Sequence, residues 1–187
     1  MERCFGSKSK IYADYHDNEW GVPLHDDRDH FELLILEGAH AGLSWEIVLN
    51  KRENYRNAFY NFDPKLVAEM TDEQLEDLLQ NTGLIRNRLK IYSARKNAIV
   101  FLQIQKEFSS FDKYIWEFMN FKMVKNQWES FDDVPVTSIE SDNLSKDLKK
   151  RGMSFVGSKI MYAYMQSAGM VNDHMITCPK WVVINEK

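Results

Sequence analysis

The sequence predicts an all-α fold, and three observations carry that prediction. Apolar residues recur at spacings of three and four along most of the 187 residues, whereas few segments alternate with the period of two that a half-buried strand requires. Capping patterns precede many of those periodic runs. No Gly/Ser linker, internal repeat or low-complexity tract divides the chain, so one domain over residues 1–187, or two closely packed helical lobes, is expected.

Taken in chain order, Asp29-His30-Phe31-Glu32 has the form of a capping box and leads into Phe31, Leu34 and Ile35, with Gly38 as the stop. Ser44 is placed to cap a helix running toward Phe59. Asp63-Pro64 sets a capping carboxylate before a first-turn proline, and Thr71 with Gln74 forms another box before Leu75, Leu78 and Leu79. Gly83 suits a left-handed helix end. Ile85 to about Gln105 reads as one long helix, Asp112 to about Met119 as a short aromatic one, and Ser141 to Arg151 as a basic one stopped at Gly152. Pro135 falls in the loop between those two. A last helix carries Met161, Met165 and Ala168 and closes at Gly169, and the tail 179–187 is left only loosely defined.

With 44% hydrophobic residues the chain can bury one substantial core. No run approaches the ~20 consecutive apolar residues of a membrane helix, and Met1-Glu2-Arg3-Cys4 lacks the apolar stretch of a signal peptide. A cytoplasmic protein without a membrane partner is expected. Two cysteines are too few for a disulfide framework. The net charge of −4 argues against indiscriminate polyanion binding, but basic residues cluster locally. Arg86, Arg88, Lys90, Arg95 and Lys96 lie in one acid-free segment; Lys146, Lys149, Lys150, Arg151 and Lys159 lie in another against Asp147 alone. Either cluster read by itself describes a solvated helix face as well as it describes a binding surface.

Three constellations carry chemistry. In the first, Gly152 and Gly157 bracket Phe155 and Val156 between two helices, so the apolar pair can plug the gap. The amides opening the next helix, at Ser158 and Lys159, then offer an anion site suited to a DNA phosphate; an ordinary helical hairpin with a basic surface is the alternative. In the second, Cys4 and His16 near one end match His174 and Cys178 near the other, two thiolates and two imidazoles that make a closed tetrahedral set. Four protein ligands leave no place for water, so zinc held there would be structural; a metal-free core pair is the alternative for His174 and Cys178. In the third, the segments from Tyr15 to Pro23 and from Leu36 to Trp45 mix aromatic, polar and glycine residues outside any clean periodicity. Glu37 closes an apolar run and so faces a partly desolvated space, or else ends a helix at the surface. Trp20 and Trp45 are either walls of a site or plain core.

Read together, these segments resemble the 3-methyladenine DNA glycosylase I family. The likeness runs from Met1-Glu2-Arg3-Cys4 through Tyr15 to Pro23, Leu36 to Trp45, Lys51 to Arg56, Phe62-Asp63-Pro64, Ile85 to Arg88, Leu148 to Gly157 and Val171 to His174, and so covers about Met1 to Cys178. The resemblance implies a helix-hairpin-helix fold and one structural zinc ion that joins the N- and C-terminal segments through Cys4, His16, His174 and Cys178. It implies a pocket made of Tyr15, Trp20, Trp45 and Glu37 that receives 3-methyladenine flipped out of alkylated duplex DNA, and DNA anchoring by the turn from Gly152 to Ser158. The expected reaction is monofunctional hydrolysis of the N-glycosidic bond, without lyase activity, by a monomer. Methylation at N3 leaves the nucleotide's adenine positively charged, so aromatic faces and a carboxylate favour it over normal adenine.

Departures from the family pattern are visible too. His40, a further candidate for the pocket, stands where glutamine is commoner, and in the pocket its protonation would oppose a cationic base and alter substrate range or pH optimum; Glu46 follows Trp45 where an uncharged residue is commoner. Asn172 occupies the place where many related enzymes carry an aspartate near the sugar, and Asp173 is expected to point elsewhere. A non-catalytic sensor of distorted DNA and a helical module with structural zinc are the competing readings; the first predicts binding without base release, the second no preference for damage.

Overall fold

The computed structural model describes residues 3–6 and 9–186; Met1 and Glu2, where the resemblance begins, lie outside the described residues. Within them run ten α-helices: α1 (Lys10–Asn18), α2 (Asp27–His40), α3 (Trp45–Ala58), α4 (Pro64–Ala68), α5 (Asp72–Leu78), α6 (Arg88–Phe108), α7 (Phe111–Glu117), α8 (Ile139–Arg151), α9 (Ser158–Ser167) and α10 (Pro179–Asn185). One small departure from an all-helical fold is a parallel pair of two-residue strands, β1 (Val124–Lys125) and β2 (Val171–Asn172). No helix of the described residues is long and apolar enough to cross a membrane.

Helix α2 is the axle. It buries His30, Phe31, Glu32 and every residue from Leu34 to Ala39, and it packs on α3, α6, α7 and α9. A helix apolar around most of its circumference belongs in the middle of a core rather than at its edge. Phe31 meets Phe101 of α6 at 5.1 Å between ring centroids, and Phe101 stacks on Phe111 at 4.1 Å. One of the two buried carboxylates of α2, Glu32, is bound by Arg52 at 2.5 Å and Arg56 at 2.9 Å, both from α3, so it is paired.

Several boundaries differ from the sequence reading for identifiable reasons. The cap of α2 is Asp26, whose carboxylate accepts from the N–H groups of Arg28 and Asp29; the helix therefore starts at Asp27, before the Asp29 box. Gly38 does not stop it. The missing side chain serves packing instead, because a Cβ there would lie 3.2 Å from the Cβ of Phe155. Ser44 precedes α3 but its side chain makes no capping hydrogen bond. Gly83 is not left-handed; a Cβ there would come within 2.7 Å of the Asn54 side chain. The long helix α6 starts at Arg88 under an Asn87 cap that accepts from the Lys90 N–H. Asp63 and the Thr71–Gln74 box cap α4 and α5 as their sequences predict. The tail beyond Cys178 is helix α10, opened by Pro179.

Candidate functional site

The Gly152 to Ser158 turn links α8 to α9. Gly152 ends α8 at φ 105°, a left-handed conformation that glycine adopts without strain. Val156 is buried in the core, whereas Phe155 is half-buried and approaches Gly38 of α2. Helix α6 clamps the turn: Asn97 Nδ2 donates to the Ser154 carbonyl and its Oδ1 accepts the Ser154 N–H, both at 2.9 Å. At Gly157 an added Cβ would meet nothing within 4 Å, so the protein itself makes no close approach there and the space opens outward. Part of the expected positive surface is spent internally. Arg151 is bound to Glu107 and Asp147, each at 2.6 Å, Arg95 to Asp72 at 2.6 Å and Arg88 to Glu76 at 2.5 Å. Lys90 donates to the carbonyls of Ala39 and Ala41 at 2.9 and 2.6 Å, closing the C-terminal end of α2.

Beside α9 lies a cleft of about 400 Å³. Its walls include Tyr15 from α1, Glu37 and His40 from the last turns of α2, Trp45 at the start of α3 and Trp20 from the loop after α1. All the sequence-predicted pocket residues therefore meet in one place. Glu37 and His40 stand three residues apart, and that spacing puts both side chains on the same face of the helix. Glu37 is only 2% exposed, yet both carboxylate oxygens are partnered: Ser167 Oγ donates to Oε1 at 2.8 Å, and His40 Nδ1 lies 3.3 Å from Oε2. Tyr15 OH in turn donates to Ser167 Oγ at 2.8 Å. Burial, and then the negative charge of Glu37, hold the Tyr15 phenol well above its ordinary pKa, so it remains a neutral donor. Trp45 sits 5.5 Å from Tyr15 and 5.3 Å from His40 between centroids, and its buried indole Nε1 has no partner among the described residues. An unpaired buried donor beside an open cleft is a group for a ligand to satisfy.

Sequence reasoning did not find Ser167, although it bridges the two polar groups at the core of the cleft. Its only signal was one small hydroxyl in the last turn of an apolar helix, indistinguishable from helix filler. Phe5, Tyr12, Gln166, Phe131 at the start of a short 3-10 turn, and Val134 to Val136 after it also line the cleft and were missed. Lys159 lines it from the first turn of α9, so the hairpin and the cleft share a wall. Asn172 and Asp173 do not line it. Asn172 is bound to Asn185 and the Trp181 carbonyl of α10, and Asp173 accepts from Tyr162, Gln166, Asn126 and Trp128.

Behind Trp20 the ligand atoms of Cys4, His16, His174 and Cys178 all lie within 4.8 Å of one another. Sγ of Cys4 is 3.5 Å from His174 Nδ1, and Sγ of Cys178 is 3.5 Å from His16 Nε2 and 3.6 Å from His174 Nδ1. Tetrahedral zinc, with Zn–S near 2.3 Å and Zn–N near 2.0 Å, separates sulfur from nitrogen by about 3.5 Å. The far nitrogens fix the tautomers. His16 Nδ1 is 2.8 Å from Asp17 Oδ1, and His174 Nε2 is 3.1 Å from the Trp20 carbonyl, so each ring spends its N–H outward and turns a bare nitrogen inward. Burial brings the His174 imidazole down to about 4, which keeps it neutral as a ligand must be, and without a cation pushes the Cys4 thiol up to about 12. The Met175 N–H donates to Cys4 Sγ at 3.2 Å, and Arg3 holds Asp17 at 2.6 Å. The cluster fits a divalent metal of borderline softness.

Comparison with known proteins decides the family. The family model described as methyladenine glycosylase matches residues 5–181. The chain belongs to the methyladenine glycosylase family. That membership makes it an enzyme, a hydrolase of glycosidic bonds. It is 47% identical over 179 residues to DNA-3-methyladenine glycosylase 1 of Escherichia coli (strain K12), which covers 95% of this chain and 96% of that one. It is likewise 47% identical over 178 residues to DNA-3-methyladenine glycosylase of Haemophilus influenzae (strain ATCC 51907 / DSM 11121 / KW20 / Rd), covering 95% and 96%. A crystal structure of 3-methyladenine DNA glycosylase I superposes with a TM-score of 0.93 at 47% identity over 95% of this chain and 98% of that one. A variant of 3-methyladenine DNA glycosylase I crystallised with 3-methyladenine gives 0.93 at 37% identity, covering 96% and 97%. Among methyladenine glycosylases this chain therefore keeps the mostly helical family fold along nearly its whole length.

Proposed function

We propose that this protein excises 3-methyladenine from alkylated duplex DNA by hydrolysing the N-glycosidic bond. The observation that supports the reading most is Glu37, a carboxylate buried at the end of an aromatic cleft with each oxygen held by a hydrogen bond. A fixed, desolvated carboxylate facing aromatic rings suits a flat cation. The base of an N3-methylated nucleotide is one, and normal adenine is not. The charge also makes the base a good leaving group, so the enzyme has little acid catalysis to supply. Trp45 and Tyr15 offer faces for stacking, Glu37 takes an N–H of the base or opposes its charge, and the bond breaks with oxocarbenium character before water captures C1′. Extrusion of the base costs a few kcal/mol, least for a weakened pair, which adds a second filter against normal DNA.

The turn around Gly157 would receive a DNA phosphate on the amides of Ser158 and Lys159, with Gly152 and Phe155 setting its shape and Lys149, Lys150 and Lys159 adding positive potential. One structural zinc ion, held by Cys4, His16, His174 and Cys178, would tie the two ends of the chain together and do no chemistry. The chain would work as one domain and as a monomer in the cytoplasm. The reaction stops at the abasic site: water rather than an amine is the nucleophile, so Lys159, the amine at the cleft among the described residues, forms no imine.

The test is incubation of the purified protein with methylated duplex DNA. Release of free 3-methyladenine, an intact abasic strand and no borohydride-trapped protein–DNA adduct are expected. Tight binding to alkylated DNA without base release would establish the sensor reading instead.

A further inference from the structure

We infer that His40 sets the pH range over which the cleft accepts a cationic base, an inference that rests on the base-excision reading. His40 is the half-exposed wall of the cleft: its side chain is 32% exposed while that of Glu37 beside it is 2% exposed. An ionised carboxylate only accepts hydrogen bonds, so the 3.3 Å contact with Glu37 Oε2 assigns the proton to His40 Nδ1. The neutral ring then keeps a bare Nε2, which has no protein partner among the described residues. That atom can accept an N–H from the exocyclic amine of a bound adenine. Edge contact with Trp45 at 5.3 Å and 66° holds the ring in place.

Protonation reverses each of these terms. Nε2 becomes a second donor facing the donors of the base, and a full positive charge appears in a cleft whose ligand is itself positive. Glu37 then neutralises His40 rather than the ligand. An imidazole is the side chain suited to such a change between about pH 5 and 8.

The charges around the ring set the balance. Its own helix contributes Glu37 and the negative C-terminal end of α2. From α6, Lys90 Nζ sits on the carbonyls of Ala39 and Ala41, immediately either side of His40 in sequence. Helix α9 contributes Lys159 to the cleft, and α3 carries Glu46 next to Trp45 in sequence. Helix α1 contributes the neutral phenols of Tyr12 and Tyr15. A cationic base brings a positive charge beside the ring, so its binding and protonation of His40 oppose each other. A residue without a titrating group at this position, such as glutamine, would carry no such linkage.

Two measurements test this. The first is the pH profile of kcat/KM for 3-methyladenine release from alkylated duplex, between pH 5 and 8.5, for the native enzyme and for His40→Gln, each relative to its own value at pH 8. The native enzyme should lose about tenfold per pH unit once His40 is protonated, and the variant should lack that acid limb. The second needs no variant: the His40 ring is titrated by NMR, free and saturated with a permanently cationic N-methylated adenine, and its midpoint should fall by a unit or more on binding. Superimposed pH profiles, or a midpoint that the ligand does not move, overturn the role of His40 while leaving base excision intact. Release by neither protein at any pH instead overturns the excision reading, and this inference with it.

Discussion

At the scale of single residues, the cleft is organised by a chain of four side chains, Tyr15 to Ser167 to Glu37 to His40, each within 3.3 Å of the next. Ser167 is the link with the least chemistry of its own. Removing it by Ser167→Ala strands one oxygen of a buried carboxylate and the Tyr15 hydroxyl, a loss of about 1–3 kcal/mol measurable by urea denaturation. Stability unchanged within 0.5 kcal/mol would mean that water or another group replaces it. Away from the cleft, His30 predicts a pH effect. The ring is buried, accepting from Tyr164 OH at 2.6 Å on Nδ1 and donating to Asp112 at 3.1 Å from Nε2. Burial lowers its pKa, and Asp112 offsets this only in part. A lowered value means that the unfolded chain takes up the proton first. The contribution to stability is therefore complete above the unfolded value, near pH 6.5, and is lost as pH falls through the lower folded value. Unfolding free energies at pH 7.5 and 5.5 should fall further on acidification for the native protein than for His30→Gln; equal falls would contradict the assignment.

At the scale of elements, what matters is how helix ends and turns bring side chains to the cleft. Gly157 and Gly169 bracket α9 and have opposite roles. Gly157 has ordinary φ and an open surrounding, so Gly157→Val should leave stability within about 0.5 kcal/mol and weaken binding to duplex DNA. Unchanged DNA affinity would remove the turn from the interface. Gly169 has φ +66°, and a Cβ there would lie 2.3 Å from the Val22 carbonyl carbon, so Gly169→Ala should cost on the order of 3 kcal/mol.

The same elements explain how much was legible in the sequence. Helices announced by local capping chemistry, such as α4 under Asp63 and α5 under Thr71, were readable because the signal and the structure involve the same few residues. Gly38 misled because its smallness answers to Phe155, more than a hundred residues away, and not to its own helix. Helix α1 is only nine residues long and mostly polar, and the face it buries carries Tyr15 and His16 rather than aliphatic residues, so its periodicity is easily overlooked. The pocket residues Tyr15, Trp20, Glu37 and Trp45 stand in strings whose residue types left site and core both open, and it was the family resemblance that implied one pocket. Ser167, Phe131 and Val134 to Val136, whose role is positional, were not legible.

At the scale of the whole molecule, both ends of the chain converge behind the cleft. Cys4 and His16 come from the start, His174 and Cys178 from the end, and Trp20 lies between cluster and cleft: its ring is 4.5 Å from that of His174 and its carbonyl accepts from the same imidazole. A metal bound there would hold one wall of the cleft without touching its chemistry. Purified protein should contain close to one zinc ion per chain. Stripping it with a chelator should lower the melting temperature and raise KM before it lowers the rate of bond cleavage at saturating DNA. A stoichiometry near zero, or unchanged stability after stripping, would argue for a metal-free cluster.

The proposed activity turns on Glu37 as a buried carboxylate that would recognise a positively charged base. Its most direct test is single-turnover release of 3-methyladenine from alkylated duplex by the native protein and by Glu37→Gln, which keeps the shape and the hydrogen bond to Ser167 but removes the charge. The prediction is a loss of about 10²- to 10³-fold with the melting temperature held within a few degrees. Release at the native rate by a folded Glu37→Gln protein would contradict it.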